Sequence, residues 1–173
     1  ELLQGAAHVR SSPKNVGSVD LIVCRPVRGE REELVEAELD LVLGLVGDSW
    51  ASRGNPKKPG APAHPDTQLN LMNSRAIAAI AKEKSRWNLA GDQFFVDFDI
   101  SYSNVPPGTQ LEIGDAIIEV TAEPHLGCVK FRDRYGQEAA AFVNSPLGKS
   151  LNLHGINARV IKRGLVKPGA AIR

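Results

Sequence analysis

Three side chains close together in this sequence could do chemistry on one another: His125, Cys128 and Lys130, in P-H-L-G-C-V-K-F at residues 124–131. A thiol flanked by two groups that can carry positive charge has its thiolate favoured, and the thiolate is the form that attacks and binds metal. Gly127 frees the backbone beside the sulfur, and Pro124, with no N–H to give, ends regular strand pairing just before it. A lone thiolate suits a soft metal held mainly by other ligands, or the carriage of a sulfur atom. The same cysteine reads equally well as a small buried hydrophobe, the commoner fate of a free thiol, and this stretch alone does not choose. His64 or His154 could approach Cys128 in space as a base, because such groupings are assembled by the fold and not by spacing.

Other chemistries find little support. There is no G-x-G-x-x-G, no phosphate-binding P-loop and no H-E-x-x-H. Two distant cysteines and four scattered histidines offer no paired zinc spacing. Cys24 sits at the end of an apolar run and reads as packing, and the two thiols read as reduced, which points to a cytoplasmic protein. Aromatic residues make up 5% of the chain, too few for nucleic-acid binding by base stacking. No apolar run approaches the roughly 20 residues that cross a bilayer, so no membrane partner is expected.

The elements that must position these groups are mostly strands. The 173 residues suit one domain, read here as residues 16–173 behind a loose, polar lead-in at 1–15. Sixteen glycines and eleven prolines punctuate the chain and favour short strands and turns. Strands are expected at 16–25, 38–42, 68–72, 94–100, 111–113, 116–121, 158–161 and 165–167, with a hairpin turn at Gly114-Asp115. A turn of helix is expected within 31–37. Asn73 caps a helix running from there to Arg86, and a second helix lies in 136–144, followed by a Ser145-Pro146 start. Residues 49–67 form a long proline-rich loop, of the kind that covers a site. With strands dominant and two helices inserted, the fold class is mainly β, and a closed barrel would dispose of the sheet edges.

Charge is distributed unevenly. Residues 30–48 hold seven acids and one base, whereas after Glu138 there is no acid and Lys149, Arg159, Lys162, Arg163, Lys167 and Arg173 are basic. That end predicts a positive field, which suits an anionic small molecule or phosphate group and equally suits a solvated rim with no partner. Arg75, in the first turn after Asn73, is placed against the helix dipole; it reads either as a tolerated surface arginine or as a side chain that meets an anion at the helix start.

Several segments together resemble a known family. These are G-D-Q-F-F-V-D-F-D (91–99), N-V-P-P-G-T (104–109), L-E-I-G-D (111–115), P-H-L-G-C-V-K-F (124–131), F-V-N-S-P-L-G (142–148) and G-I-N-A-R-V (155–160), with G-L-V-G-D (44–48) upstream. In this order they resemble the MOSC domain, the C-terminal domain of molybdenum-cofactor sulfurases, over residues 16–172. The resemblance implies a barrel like the β-barrel domain of pyruvate kinase and a molybdenum cofactor (molybdopterin) as ligand. It implies Cys128 as metal ligand or sulfur carrier, with His125 and Lys130 beside the metal. Asn73, Arg75, Asn157 and Arg159 would hold the cofactor's anionic end. Two functions follow from it: reduction of N-hydroxylated compounds, with electrons from an external reductase, or carriage of a persulfide on Cys128, with sulfur from a cysteine desulfurase. The family is also associated with pyridoxal-phosphate desulfurases, but no such segment lies in these residues, so the sulfur donor is expected to be a partner.

Overall fold

The computed structural model describes residues 2–173. Its central strand is β1 (Gly17–Cys24), whose apolar residues serve two cores. Val19, Ile22 and Cys24 point into the barrel interior, while Leu21 and Val23 face a second layer beneath the helices. A bulge between Val19 and Leu21 resets the alternation, so both faces of one strand can be apolar. β6 (Phe94–Asp97) repeats this, with Phe94 and Val96 inward and Phe95 outward.

Seven strands close the barrel in the order β11 (Ala171–Ile172), β7 (Gln110–Ile113), β8 (Ala116–Val120), β9 (Ile156–Lys162), β5 (Leu69–Asn73), β6 and β1, which returns to β11. The pairs are antiparallel except β5–β6, where a parallel register needs a crossover. The crossover is α3 (Ser74–Ala81) with a 3₁₀ segment (Lys84–Ala90). β2 (Glu32–Glu33) extends β1, and β3 (Ala37–Asp40), β4 (Gly44–Leu45) and β10 (Gly164–Val166) form a small second sheet. The expected class, mainly β with inserted helices closed into a barrel, is the class observed.

Four local expectations need correction. Residues 2–10 are not a loose lead-in. They form α1 (Leu2–Arg10), which packs on α3 so closely that a methyl group on Gly5 would come within 2.6 Å of Ala79 Cβ. The expected helical turn within 31–37 is β2, paired to the end of β1. The helix after Asn73 stops at Ala81, where Lys82 takes φ 64°, well before Arg86. The Cys128 stretch leads directly into a helix, α4 (Val129–Tyr135), anchored by the fully buried Phe131. α5 (Gln137–Asn144) and α6 (Pro146–Ser150) follow as expected, with Ser145 Oγ accepting from Gly148 N at 3.0 Å.

Asn73 is a cap, as its type suggests, and more. Its Oδ1 accepts from the Arg75 and Ala76 amides, and its Nδ2 donates to Ser12 Oγ and to the Phe98 carbonyl. Removing a cap and leaving two buried acceptors unpaired are both costly. Asn73→Ala is expected to lower stability by about 3 kcal/mol, read as a lower urea midpoint with an unchanged slope.

Candidate functional site

The alternation of β5 and β9 builds the floor of the main cavity. Leu69, Leu71, Ile156 and Ala158 fill the barrel, so Asn70 and Asn157 between them face outward. These two asparagines are cross-strand partners, and Asn70 Nδ2 donates to Asn157 Oδ1 at 2.7 Å. Asn157 Nδ2 in turn donates to the Glu123 carbonyl at 2.9 Å, holding the backbone just before His125. Over this floor the 49–67 segment forms a wall, with Trp50, Asn55, Lys57 and His64 enclosing about 310 Å³ against Pro124 and His125. The segment is partly regular, holding α2 (Trp50–Arg53) and a 3₁₀ turn (Pro65–Thr67).

Arg25 ties this floor to the chain. Its Nε and Nη2 donate to Asp48 at 2.9 and 3.0 Å, and its Nη1 donates to Asn70 Oδ1 and the Gly91 carbonyl. Burial alone would raise the Asp48 pKa, but Arg25's hydrogen bonds and charge outweigh it and hold the carboxyl below its usual range. A two-glycine bend at 44–48 delivers this aspartate. Gly44 has φ 70°, and a methyl group there would strike Gln68 Cγ at 2.7 Å.

His125 is held by a residue that sequence reasoning missed. Its Nε2 lies 2.8 Å from Asp92 Oδ1, and Asp92 is 1% exposed. Edge-on to His125, with ring centroids 4.6 Å apart, stands His154, buried with neither ring nitrogen hydrogen-bonded. Burial, and His125 beside it, lower the His154 pKa to about 4.

A second hollow, of about 360 Å³, is lined by Arg25, Arg28, Arg31, Arg53, Lys130 and Arg134, with Asp133 the acid on its wall. Burial, and then the charges of Arg134, Arg25 and Arg53, push the Arg31 pKa below its ordinary value. Arg31 Nε is buried without a partner. Arg53 lines both this hollow and the main cavity, so the two adjoin.

The expected site residues are distributed among these places. His125 and Asn157 line the main cavity, and Lys130 lines the cationic hollow. Cys128 is exposed at the start of α4, in a separate shallow hollow with Arg132 and Gln137. Its loop is fastened by Asn144, which accepts from the Gly127 amide and donates to the Gly127 carbonyl. Asn73 and Arg75 lie elsewhere. Arg75 is engaged by Asp97 at 2.7 Å and by Ser11 and the His8 carbonyl, so no bound anion is needed to explain it. Arg159 pairs with Glu119 across β8–β9 at 2.7 Å. The expected C-terminal positive field is likewise largely answered, by Arg163–Asp40, Lys167–Glu36 and Arg173–Glu112 pairs. The cationic cluster lies instead on 25–31, Arg53 and α4. Its signal, R-P-V-R-G-E-R at 25–31, was masked by the acids that follow. Cys24 is core packing, as read, and burial raises its pKa.

A closed seven-strand mixed barrel carrying helices on its outer wall is a MOSC-like fold. It is similar to the crystal structure of the YuaD protein from Bacillus subtilis, with a TM-score of 0.64 at 14% identity over 91% of this chain and 94% of that one. It is also similar to YiiM from Escherichia coli, with a TM-score of 0.57 at 22% identity over 90% of this chain and 68% of that one. YiiM from Geobacillus stearothermophilus gives a TM-score of 0.53 at 13% identity over 90% and 71%. No family model matches the chain, and no curated protein sequence matches it significantly. Among the described residues no helix is long and apolar enough to cross a membrane.

The His154 environment predicts a pH effect on stability. Its folded pKa, about 4, lies below the ordinary 6.5. Between those values the unfolded chain takes up a proton that the folded chain refuses, so stability falls as pH drops through that window. The loss approaches about 3 kcal/mol at pH 4 and is absent above pH 7. His154→Phe should remove it, so urea midpoints at pH 7 and pH 4.5 should differ less in that variant than in wild type.

Proposed function

We propose that this chain binds the molybdenum cofactor and uses it to reduce N-hydroxylated compounds. The observation that carries the reading is the cationic hollow. It gathers six basic side chains around one acid and keeps a buried guanidinium Nε without a partner, which is the chemistry of a phosphate cradle. Two of its members, Lys130 and Arg134, belong to the helix that Cys128 begins. Cys128 is exposed, and among the described residues no three His, Cys, Asp or Glu side chains cluster as a metal site. A metal at Cys128 would therefore draw its remaining ligands from a cofactor, as the pterin dithiolene group provides. The residues present fit the group.

In this reading Arg28, Arg31, Lys130 and Arg134 hold the cofactor's phosphate, and Cys128 supplies the protein's sulfur ligand. When bound, the cofactor supplies a two-electron redox change, fed by an external reductase. The main cavity, joined to the hollow at Arg53, receives the substrate. Asn157 and Asn144 fix the two ends of the 123–128 segment, so that His125 and Cys128 keep their separation. The MOSC-like fold and the family resemblance support the substrate class; nothing in the cavity walls selects it alone.

One observation favours a second reading, a persulfide carrier. Cys128 stands in an open hollow apart from the His125 cavity, where another protein's thiol could reach it. The two readings separate on purified protein from a cofactor-proficient host. The reductase reading expects molybdenum and pterin to copurify. Arg31→Met with Arg134→Met should lower pterin content about tenfold or more, and Cys128→Ala should lower molybdenum and pterin together. The carrier reading expects metal-free protein that gains the mass of one sulfur atom on Cys128 after incubation with a cysteine desulfurase. Metal-free and pterin-free protein from such a host sinks the first reading.

A further inference from the structure

The main cavity contains a charge-oriented histidine whose geometry goes beyond metal binding. Asp92 is almost fully buried, and its Oδ1 meets His125 Nε2 at 2.8 Å. A carboxylate only accepts, so Nε2 carries the hydrogen, and the neutral ring presents Nδ1 as its free nitrogen. Nδ1 has no protein partner among the described residues, and the ring lines the main cavity. An aspartate in that position fixes both tautomer and ring orientation.

The backbone reserves space for this pair. Gly155 has φ 121°, and a methyl group on it would come within 2.9 Å of His125 Cδ2 and 3.0 Å of Asp92 Oδ1. Asp92 Oδ2 is buried with no partner, which leaves His125 as this carboxylate's hydrogen-bond partner. A buried carboxylate with so few partners is costly to keep. Behind the pair, His154 is neutral across the physiological range and does not compete for the proton. The other charged or titratable groups facing His125 across its hollows are Glu123 paired with Lys57, His64, Arg53, Lys149 and Tyr102.

We infer that His125, oriented by Asp92, is the proton donor for N–O bond cleavage in the main cavity, an inference that rests on the reductase reading above. The balance is R–NH–OH + 2 e⁻ + 2 H⁺ → R–NH₂ + H₂O. The N–O bond breaks with its electron pair leaving on oxygen. The imidazolium form of His125, which carries a second hydrogen on Nδ1, passes that proton to the oxygen, which departs as water. Two electrons from an external low-potential one-electron carrier reduce the nitrogen, which takes its second proton from solvent. His125 is reprotonated through the open side of the cavity. His125 is thus a catalytic residue, and Asp92 is a positioning residue acting through it.

The first measurement needs no turnover. In ¹⁵N-histidine-labelled protein, His125 is expected as the Nε2–H tautomer when neutral, and Asp92→Asn should shift it toward Nδ1–H. The second uses the molybdenum-loaded holoenzyme with reduced viologen as electron source. His125→Gln should lower kcat about a hundredfold or more at unchanged molybdenum content. Added imidazole should restore part of the rate. Asp92→Asn should lower kcat with KM nearly unchanged. The inference is overturned if His125→Gln keeps the wild-type rate at equal metal content, or if Asp92→Asn leaves the tautomer as it was. Metal-loaded wild type without any turnover defeats the reductase reading itself, and this use of the pair with it.

Discussion

The buried Arg25–Asp48 ion pair organises one end of the barrel. Arg25 follows β1, Asp48 follows β4, Asn70 lies on β5, Gly91 precedes β6, and Asn157 lies on β9; one guanidinium reaches most of them directly and the rest through one amide. Such a pair adds little net stability, since desolvation offsets the attraction. Breaking it is another matter, because the abandoned charge stays buried at a cost of about 3–5 kcal/mol. Its use here is to fix register. With Arg25 bonded to Asn70, and Asn70 to Asn157, a slip of β5 against β9 would strand three polar groups at once. This chain of hydrogen bonds holds the floor of the main cavity together.

That commitment also divides labour among the arginines. Arg25 lines the cationic hollow but has spent its donors on Asp48, Asn70 and Gly91. Arg31 keeps a buried Nε unpaired and lies among like charges, a destabilising arrangement that a bound anion would relieve. Groups that cost stability without structural return are where binding function concentrates. Arg75 is the converse case. It carries the same charge at a helix start, yet every donor contact it makes ties α1 and β6 to α3.

Much of the barrel was legible in sequence because its signals are local. The β-branched runs, the Gly114-Asp115 hairpin, the Asn73 cap and the Ser145-Pro146 start each declare themselves within a few residues. α1 and α4 were not legible in the same way. Each is held by burial of a few side chains against distant elements, Val9 in one and Phe131 in the other, and α4 has no side-chain cap. Charge misled for a related reason. The acid-free C-terminal segment looks like a positive field along the chain, but antiparallel pairing sets Arg159 opposite Glu119, and tertiary packing brings Arg163 to Asp40. Segregation in sequence became pairing in space. The Cys128 stretch was found from residue type alone; Asp92, 33 positions before His125, leaves no sequence signal of its contact.

The 123–131 segment then appears as two instruments on one strip of backbone. Asn157 grips it before His125, Asn144 grips it at Gly127, and Phe131 locks the helix beyond. Between the grips the chain turns, so that His125 faces the barrel wall and Asp92 while Cys128 emerges at the α4 start. A histidine and a cysteine three residues apart invite the view that they act on each other. They line separate hollows, so in the reductase reading proposed above their roles would be successive ones on one bound molecule, with proton chemistry on the Asp92 side and metal chemistry on the α4 side. Arg53 is the hinge of that argument, since it belongs to the walls of both the main cavity and the cationic hollow. A ligand anchored at the arginines and lying past Arg53 would enter the cavity where His125 waits.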